Sequence, residues 1–368
     1  MEEPLEVSDW DSTLRDISAK LTAMITLCVE NQLFTAREFE SYHAQCLRMM
    51  DEQQTRLKEE QQREASRQAN EPYKLRKLSR RIPAEVGALI VAAPFGNYLG
   101  GSEVTRTFGT FTAYARRTDQ IHQGVYQPRD ERFWWFGMLC RYLMTVRRQR
   151  ASGGWVNRMG LRNPGVRRVS HLVRSGRIRH SNTVLSLYAL EPDEWTTVFH
   201  RLGVFWPYPA AVELNFSCPN VRKDADLSEF ITKGIKACND WRQLLAERFG
   251  SPAPHPIAKF GPKAQLGHVD QAVRCNYALH LCNTLPVTKG GLSGTPLKTY
   301  ALQMVQLAAH NWPHIPIIGG GGIKTVEDVQ DYYNAGATHV SIASALFDRK
   351  YRKALSGLAT YAKEHQPS

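Results

Sequence analysis

The sequence predicts an α/β fold, a (β/α)8 TIM barrel that follows an N-terminal helical extension. Eight short apolar runs alternate with helical stretches over roughly 275 residues, which is the strand count and size of such a barrel. Polar residues gather at the carboxyl ends of several runs, where barrel enzymes build their sites. An open doubly wound sheet has similar local patterning, but it does not explain that concentration of polar residues.

The extension, residues 1–81, is predicted to be a helical hairpin. In "STLRDISAKLTAMITLCVE", Leu14, Ile17 and Leu21 recur at helical spacing, and "TARE" offers a capping box that begins at Thr35. The second helix continues into "DEQQTRLKEEQQREASRQ", which is polar on nearly all sides. Such a helix projects into solvent or contacts another chain, through which the protein would bind a partner or itself. Packing of the first helix on the barrel is an equally good interpretation.

The barrel domain is predicted to span residues 82–368, with its strands starting near Gly87. Helical segments such as "LSEFITKGIKACNDWRQLLAERFG" and "TVEDVQDYYNAGA" fall between the strand candidates. Continuous apolar runs are expected of parallel strands that are covered on both faces. The candidates are "GALIVAAP", "GTFTAYA", "TVLSLYAL", "AAVELNFS", "PIAKFGP", "YALHLCNT", "IPIIGGGG" and "THVSIAS".

A basic, aromatic insertion is predicted at residues 117–154. It contains "ERFWWFGMLCRYLMTVRRQR", which we interpret as an amphipathic helix with a basic end. Such a helix can serve as a substrate lid, a partner surface or a contact with a membrane surface. Packing on the barrel is the plainer alternative.

The charge and the cysteine content indicate which kinds of partner and which cellular compartment suit the protein. The net charge of +12 and the pI near 9.4 suit an acidic partner, although a solvated arginine-rich surface has the same composition. The seven cysteines are scattered, with no CxxC pair and no zinc spacing, so we expect a reducing, cytoplasmic location without a metal site. The acidic N-terminus lacks the apolar core of a signal peptide. The longest apolar run is interrupted by Arg141 and is too short to span a bilayer.

The stretch "VELNFSCPNV" ends the fourth predicted strand with polar residues, among them Asn215, Ser217, Cys218 and Asn220. A cysteine at a barrel mouth can take or give a proton, and carboxamides can hold a flat substrate with several hydrogen-bonding groups. An inert buried thiol between two turn asparagines is the plainer alternative.

"ELNFSCPN" strongly resembles the fourth-strand motif of dihydroorotate dehydrogenases and of the related dihydropyrimidine dehydrogenase domain. The motifs "VNRMGLRNPG", "AKFGP", "CNT", "GGLSGTPL", "IPIIGGGGI" and "VSIASALF" follow in the order of that family. The resemblance extends from about Gly87 to the C-terminus. It implies a barrel that binds flavin mononucleotide (FMN) and oxidises dihydroorotate or a similar dihydropyrimidine, a reaction of pyrimidine biosynthesis.

The resemblance also implies which residues bind the cofactor. Two glycine-rich or small-residue turns, at the ends of the last two strands, would hold the FMN phosphate, where such barrels usually bind phosphate. Lys259 would lie beside flavin N1 and the C2 carbonyl, although a structural partner is the alternative role for a lysine at that depth. The implied cofactor residues are Ala92, Ala93, Gly109, Thr110, Lys259, Ser293, Gly294, Gly321, Gly322, Ala343 and Ser344.

On the substrate side, the resemblance makes Cys218 the base that removes a proton from the carbon next to the substrate carbonyl. A hydride then passes from the neighbouring carbon to flavin N5. A thiol with its ordinary pKa of about 8.5 suits proton abstraction above neutral pH. The implied substrate residues are Asn157, Met159, Gly160, Leu161, Asn215, Asn220, Asn283 and Thr284.

The chain departs from the family at one informative point. Family members place a lysine against the substrate from the first or second strand, but "AAPFGNY" and "GTFTAYARRT" contain none. Arg116 or Arg117 can substitute only in part, because a planar guanidinium does not copy an ammonium. Motifs of the soluble and membrane-associated branches are mixed, and the polar extension does not resemble an apolar quinone tunnel.

Two further functions stay open. A tRNA dihydrouridine synthase shares the barrel, the flavin and a cysteine, and the fifteen arginines from Arg116 to Arg179 could track phosphates. Against it, "SCPNV" and "NRMGL" look like dehydrogenase motifs. Alternatively, the barrel is a flavin-binding scaffold whose N-terminal helices bind a partner, which the missing lysine favours. The electron acceptor does not follow from the sequence.

Overall fold

The computed structural model describes most of the chain after residue 81. All described residues belong to a compact unit that spans Lys77–Ser368. The predicted extension at residues 1–81 and most of the predicted insertion lie outside them, so both stay predictions. The described residues are 82–83, 85–93, 95–97, 103–116, 146–149, 153–157, 161, 163–176, 178–205, 207–217, 227–250, 253–261, 263–287 and 290–367.

Eight of the described strands close into a parallel barrel, which confirms the predicted fold. Each of the eight apolar runs contributes one strand, and neighbours in the chain are neighbours in the barrel. In barrel order the strands are β1 (Leu89–Val91), β2 (Thr105–Phe111), β5 (Thr183–Leu187), β6 (Ala211–Asn215), β7 (His255–Phe260), β8 (Ala278–Leu281), β11 (Ile317–Gly320) and β12 (His339–Ile342).

Helices cover the outside of this barrel and bury the outward-facing apolar residues of the strands. The aromatic rings of Trp195 and Phe230, on two successive helices, lie 5.3 Å apart over Phe216 at the end of β6. The helices are α1 (Arg167–Arg174), α2 (Glu194–Leu202), α3 (Leu227–Phe249), α4 (Leu266–Arg274), α5 (Lys298–Asn311), α6 (Val326–Asn334), α7 (Arg349–Lys353) and α8 (Leu355–Glu364).

A second, antiparallel sheet was not predicted. Its strands pair in the order β3 (Val146–Gln149), β4 (Gly154–Asn157), β10 (Gly290–Gly294) and β9 (Leu285–Val287). The prediction that the basic end of the insertion is helical is therefore wrong for Val146–Gln149. Those residues pair with β4 over their whole length, and cross-strand pairing overrides a helical pattern of side chains.

The second barrel strand also begins earlier than expected. It runs from Thr105 to Phe111, so the "TAYA" segment of the predicted run lies beyond its end. Phe108 and Phe111 are buried on this strand, and Ala113 is buried beyond its end.

Two side-chain layers fill the barrel interior, as inward positions alternate along each strand. The lower layer, near the amino ends of the strands, is apolar and includes Ile90, Val184, Ile257, Ala278 and Ile318. The upper layer follows two residues later on several strands and is polar, with Ser186, Glu213, Lys259, His280 and Ser341. Apolar side chains therefore fill the barrel near the amino ends of its strands, and polar and charged side chains fill it near the mouth.

Among the helices that the structure describes, none has the length and apolar character needed to cross a bilayer.

Candidate active site

The carboxyl ends of β6 and β8 bring two predicted substrate residues together. Asn283 Nδ2 lies 3.3 Å from Asn215 Oδ1, 2.8 Å from the Ser217 carbonyl and 3.1 Å from Ser217 Oγ. The Ser217 amide donates to Asn215 Oδ1 at 3.3 Å. Two carboxamides from separate strands therefore share one polar cluster. Cys218 and Asn220 continue directly from it, and both lie outside the described residues.

Two further predicted substrate residues, Asn157 and Thr284, meet at β10 of the second sheet. Asn157, at the end of β4, pairs with Gly291 and donates from Nδ2 to its carbonyl at 3.3 Å. A Cβ built on Gly291 would lie 2.4 Å from Thr284 Oγ1, so Thr284 packs against the same point of β10. Because Thr284 follows Asn283, this group adjoins the asparagine cluster.

The backbone contact predicted from Met159 to Leu161 is only partly visible. Met159 and Gly160 lie outside the described residues. Leu161 is buried in the main apolar core, and its carbonyl accepts from Asn163 Nδ2 at 2.8 Å. Asn163 also accepts from the Thr112 amide at 3.0 Å, so it ties this loop to the end of β2.

Three predicted cofactor residues form a cradle between the second sheet and the last two barrel strands. Gly294 and Gly322 have φ angles of 95° and 78°, which L-residues with a side chain rarely adopt. A Cβ on Gly322 would lie 3.1 Å from the Gly294 carbonyl oxygen, and one on Gly294 would lie 3.5 Å from Ser344 Oγ. The segments that carry Gly294, Gly322 and Ser344 therefore approach one another closely, and the two glycines have no side chain to fill the space between them.

This cradle suits a phosphate. The absence of side chains at the two glycines lets backbone amides approach an anion closely. Lys324 places its ammonium next to the cradle, because Nζ donates to Thr295 Oγ1 at 2.6 Å. Lys298, also nearby, is held instead by Asp328 and Asp331 at 2.5 and 2.6 Å.

The remaining cofactor residues flank the cradle. Ser293 donates from Oγ to the Trp155 carbonyl at 3.1 Å, which locks β10 to β4. Gly321, with a φ of 119°, directly follows β11, and its carbonyl accepts from Tyr332 Oη at 2.7 Å. Ala343 directly follows β12 and precedes Ser344.

On the first two strands, the predicted cofactor residues lie at the mouth as expected of strand ends. Ala92 and Ala93 follow β1, and the Ala92 amide donates to the last carbonyl of β12 at 3.0 Å. Gly109 and Thr110 lie near the end of β2, with a φ of 109° at Gly109. Thr110 Oγ1 is 3.0 Å from Ser186 Oγ, in the upper polar layer.

Lys259 has a buried partner, Glu213. Lys259 Nζ lies 3.5 Å from Glu213 Oε1, and the two side chains are 9% and 1% exposed. Ser186 Oγ donates to Glu213 Oε1 at 2.7 Å, and His280 Nδ1 donates to Oε2 at 2.5 Å. Burial alone would raise the pKa of Glu213, but the Lys259 ammonium and these hydrogen bonds lower it to about 2. The carboxylate is therefore ionised at neutral pH.

His280 completes this group as a neutral donor. Burial, and secondarily the Lys259 ammonium, lower the pKa of His280. A neutral imidazole has one N–H, and Nδ1 must carry it because a carboxylate only accepts. Nε2 then accepts from Ser341 Oγ at 2.8 Å. By the same rule the Ser186 proton goes to Glu213, so Thr110 donates to Ser186. We call these six residues the Glu213 network: Thr110, Ser186, Glu213, Lys259, His280 and Ser341.

Sequence reasoning singled out only two members of the Glu213 network, Thr110 and Lys259. The others had a signal that could have been used: an ionisable residue stands in the middle of an apolar strand in both "VELN" and "LHLC". Inward positions of neighbouring strands meet in layers, so such residues are expected to pair.

Two nearby residues are engaged elsewhere. Arg116 is 8% exposed and forms a backbone bridge with Asn163, and its positive charge favours the ionised form of Glu194 in α2. Burial raises the pKa of Cys282, which precedes Asn283, to about 11. At neutral pH the Cys282 thiol is therefore protonated and is a poor base.

Known proteins resemble this chain in sequence. Residues 145–244 and 270–354 match the family model described as dihydroorotate dehydrogenase. The catalytic subunit of dihydroorotate dehydrogenase B (NAD(+)) from Methanocella arvoryzae is 30% identical over 216 residues, which cover 54% of this chain and 68% of that protein. Its counterpart from Alkaliphilus oremlandii is 30% identical over 238 residues, 60% of this chain and 77% of that protein.

Solved structures agree with the fold. A crystal structure of DHODH from Eimeria tenella in complex with ferulenol superposes with a TM-score of 0.53 at 19% identity, over 79% of this chain and 86% of that one. The ligand-free form from the same organism gives a TM-score of 0.52 at 20% identity, over 80% of this chain and 89% of that one.

Proposed function

Because the chain belongs to the dihydroorotate dehydrogenase family, we propose that it is an FMN-dependent oxidoreductase acting on the CH–CH bond of dihydroorotate or a related dihydropyrimidine. The product is the corresponding pyrimidine, so the reaction is a step of pyrimidine biosynthesis. The observation that carries this proposal is the asparagine cluster of Asn215, Ser217 and Asn283 at the barrel mouth, which Cys218 directly follows in the sequence.

The asparagine cluster suits a pyrimidine ring. Each carboxamide offers a carbonyl acceptor and two N–H donors, which match the alternating N–H and C=O groups of the ring. Asn283 and Asn215 each use part of this capacity in the hydrogen bonds with Ser217, which orients them. Oriented carboxamides bind a planar substrate with less loss of conformational entropy than free ones.

The predicted cofactor residues suit FMN. The cradle of Gly294, Gly322 and Ser344 would hold its phosphate, with Lys324 as a nearby cation. Lys259 and Thr110, with the other residues implied by the resemblance, would contact the ring. The chemistry that FMN supplies when bound is acceptance of a hydride at N5.

Cys218 would act as the base in this reaction. Its thiolate would take the proton from the carbon next to the substrate carbonyl, and FMN, when bound, would accept the hydride that leaves the neighbouring carbon. The substrate thereby gains a carbon–carbon double bond, and the cysteine holds the proton until it passes to solvent. Turnover would then need a separate electron acceptor.

One alternative has support from a specific feature. The fifteen arginines from Arg116 to Arg179 suit a nucleic-acid substrate, as in a tRNA dihydrouridine synthase. Within this region Arg147 and Arg148, on the edge strand β3, are exposed. In the same stretch, however, Arg116 is buried, which reduces the surface available for phosphates.

The experiment that tests the proposal has two stages. Purified protein should show a flavin spectrum, and the cofactor released by heat should run as FMN. Anaerobic mixing with dihydroorotate and with neutral dihydropyrimidines then measures flavin bleaching. A protein that is colourless, and stays so with added FMN, contradicts the proposal. Bleaching by dihydrouridine-containing RNA alone would favour the synthase.

The absence of the family's substrate lysine leads to a second expectation in this experiment, which concerns the affinity for dihydroorotate. Loss of a charged hydrogen-bond partner from a desolvated site costs about 1.5–3 kcal/mol, or roughly 10- to 150-fold in affinity. Arg116 and Arg117 can replace that lysine only in part, because a planar guanidinium does not copy an ammonium. We therefore expect dihydroorotate to bind weakly. Tight binding that is lost in Arg117→Ala but kept in Arg116→Ala would assign the role to Arg117.

A further inference from the structure

The Glu213 network runs between two residues that the proposed function assigns to the flavin. Thr110 donates to Ser186 and Ser186 donates to Glu213, while Lys259 lies on the same carboxylate oxygen. A second arm reaches Glu213 from Ser341 through His280. Every hydrogen bond in both arms is directed toward one carboxylate.

Burial strengthens the electrostatic effect of the Glu213 carboxylate on the groups around it. Glu213 is 1% exposed, so solvent screens its charge much less than that of a surface residue. Among the described residues, Glu213 is the one carboxylate within ion-pair distance of Lys259 Nζ. The Lys259 ammonium is therefore paired with a fixed, buried negative charge.

His280 adds no second positive charge. It is neutral and donates from Nδ1, so its effect is to orient the Glu213 carboxylate. Ser186 holds the other carboxylate oxygen, which leaves the carboxylate little freedom to rotate away from Lys259.

We propose that Glu213 is a positioning residue that holds the Lys259 ammonium at the mouth, offsets part of its charge, and thereby sets the reduction potential of the bound flavin. This inference rests on the proposed function, in which Lys259 contacts the flavin ring. A positive charge near N1 favours the negatively charged reduced ring. A carboxylate behind that charge weakens the effect, so Glu213 keeps the potential lower than Lys259 alone would make it.

The test is the midpoint potential of the bound flavin, measured by anaerobic titration against reference dyes at pH 7. Glu213→Gln keeps the shape of the side chain and removes its charge. We expect the oxidised–reduced equilibrium to shift at least tenfold toward the reduced flavin, which is about 30 mV for a two-electron couple. Glu213→Asp keeps the charge and should move the potential by less than half as much.

A matched control removes the same charge elsewhere. Glu194, at the start of α2, accepts from the Leu190 amide and belongs to no part of the Glu213 network. Glu194→Gln should leave the flavin potential close to the wild-type value. An equal rise in this variant would show that net charge, and not the pairing with Lys259, controls the potential, and would overturn the inference.

Other outcomes also decide the matter. An unchanged or lowered potential in Glu213→Gln, or an equal shift in Glu213→Asp, overturns the inference while leaving the proposed function intact. Wild-type protein that binds no flavin overturns the proposed function itself. If Glu213→Gln does not fold, the double variant Glu213→Gln/Lys259→Gln leaves no unpaired charge. Its potential should equal that of Lys259→Gln, because Glu213 acts through Lys259, and a rise of about 30 mV above Lys259→Gln would show a direct effect of Glu213 and would overturn the inference.

Discussion

The two layers of the barrel interior use the same strands for different purposes. On β7, Ile257 packs in the lower layer, and Lys259, two residues later, carries a charge in the upper one. On β5, Val184 and Ser186 differ in the same way. The lower layer needs only volume and apolar surface, whereas each upper-layer group needs a specific partner. We therefore expect lower-layer changes to affect stability and upper-layer changes to affect chemistry.

The largest effect is expected from a cavity in the lower layer. Ile257 is fully buried, so Ile257→Ala should lower the free energy of unfolding by roughly 2–5 kcal/mol, against about 0.5–1.5 kcal/mol for Ile257→Val. Urea denaturation measures both values. The flavin potential of folded Ile257→Ala should equal that of the wild type. A shift as large as that of Glu213→Gln would contradict the separation of the layers.

As the pH falls, stabilising interactions at the amino end of the barrel should be lost at a higher pH than those of the upper layer. Burial lowers the pKa of His339, the first residue of β12, from 6.5 to about 4. The folded state keeps this histidine neutral, so its contribution is complete above pH 6.5, declines as the pH falls below 6.5, and is gone below about 4. The difference amounts to roughly 3 kcal/mol. The ion pair of Glu213, with a pKa of about 2, should be lost only at lower pH.

Urea midpoints between pH 7 and pH 4 measure this decline, and His339→Gln is the variant that tests its cause. This variant cannot take up a proton, so its stability should fall less steeply over the same range. His255, whose pKa burial also lowers to about 4, should account for part of the remaining decline. Identical slopes for His339→Gln and wild type would show that other groups control acid sensitivity.

The variant Cys218→Ala should leave FMN bound and slow flavin reduction by roughly 100-fold or more, because proton abstraction loses its base. Stopped-flow mixing with substrate measures the rate. Cys218→Ser should also be slower than wild type near neutral pH, since an alcohol is rarely ionised. Cys282→Ala is the matched control, as its thiol is protonated at neutral pH. If Cys282→Ala slowed reduction and Cys218→Ala did not, the assignment of the base would be wrong.

The smallest of these effects is expected at the phosphate cradle. Gly322→Ala introduces a Cβ at a φ of 78° and 3.1 Å from the Gly294 carbonyl oxygen. A left-handed backbone costs an L-residue about 1–2 kcal/mol, and the Cβ crowds the Gly294 backbone within the cradle, so we expect the cradle amides to be displaced and FMN affinity to fall roughly 5- to 30-fold. Fluorescence titration of apoprotein with FMN measures it. Gly203→Ala has a similar φ of 71° with open space around it, and it should lower stability without weakening FMN binding.

Local pattern was sufficient for the barrel and for its strand candidates. Eight apolar runs of strand length, each followed by helix signals, have few other compact arrangements, and the structure confirms that arrangement. Ordered motifs were likewise sufficient for the family. The second sheet was missed because its strands, β3, β4, β9 and β10, are short and come from distant parts of the chain. Their pairing has no periodic signature in any one segment.

The candidate site divides in the same way. The sequence by itself determined that Asn215 and Asn283 stand at strand ends and that glycines or small residues stand at the turns after the last two strands, since residue type and strand position are local properties. Only the tertiary structure decided that Glu213 faces Lys259 and that His280 donates to it, because these contacts join separate strands across the barrel. Which inward residues meet depends on strand order and register, and closure of the barrel sets both.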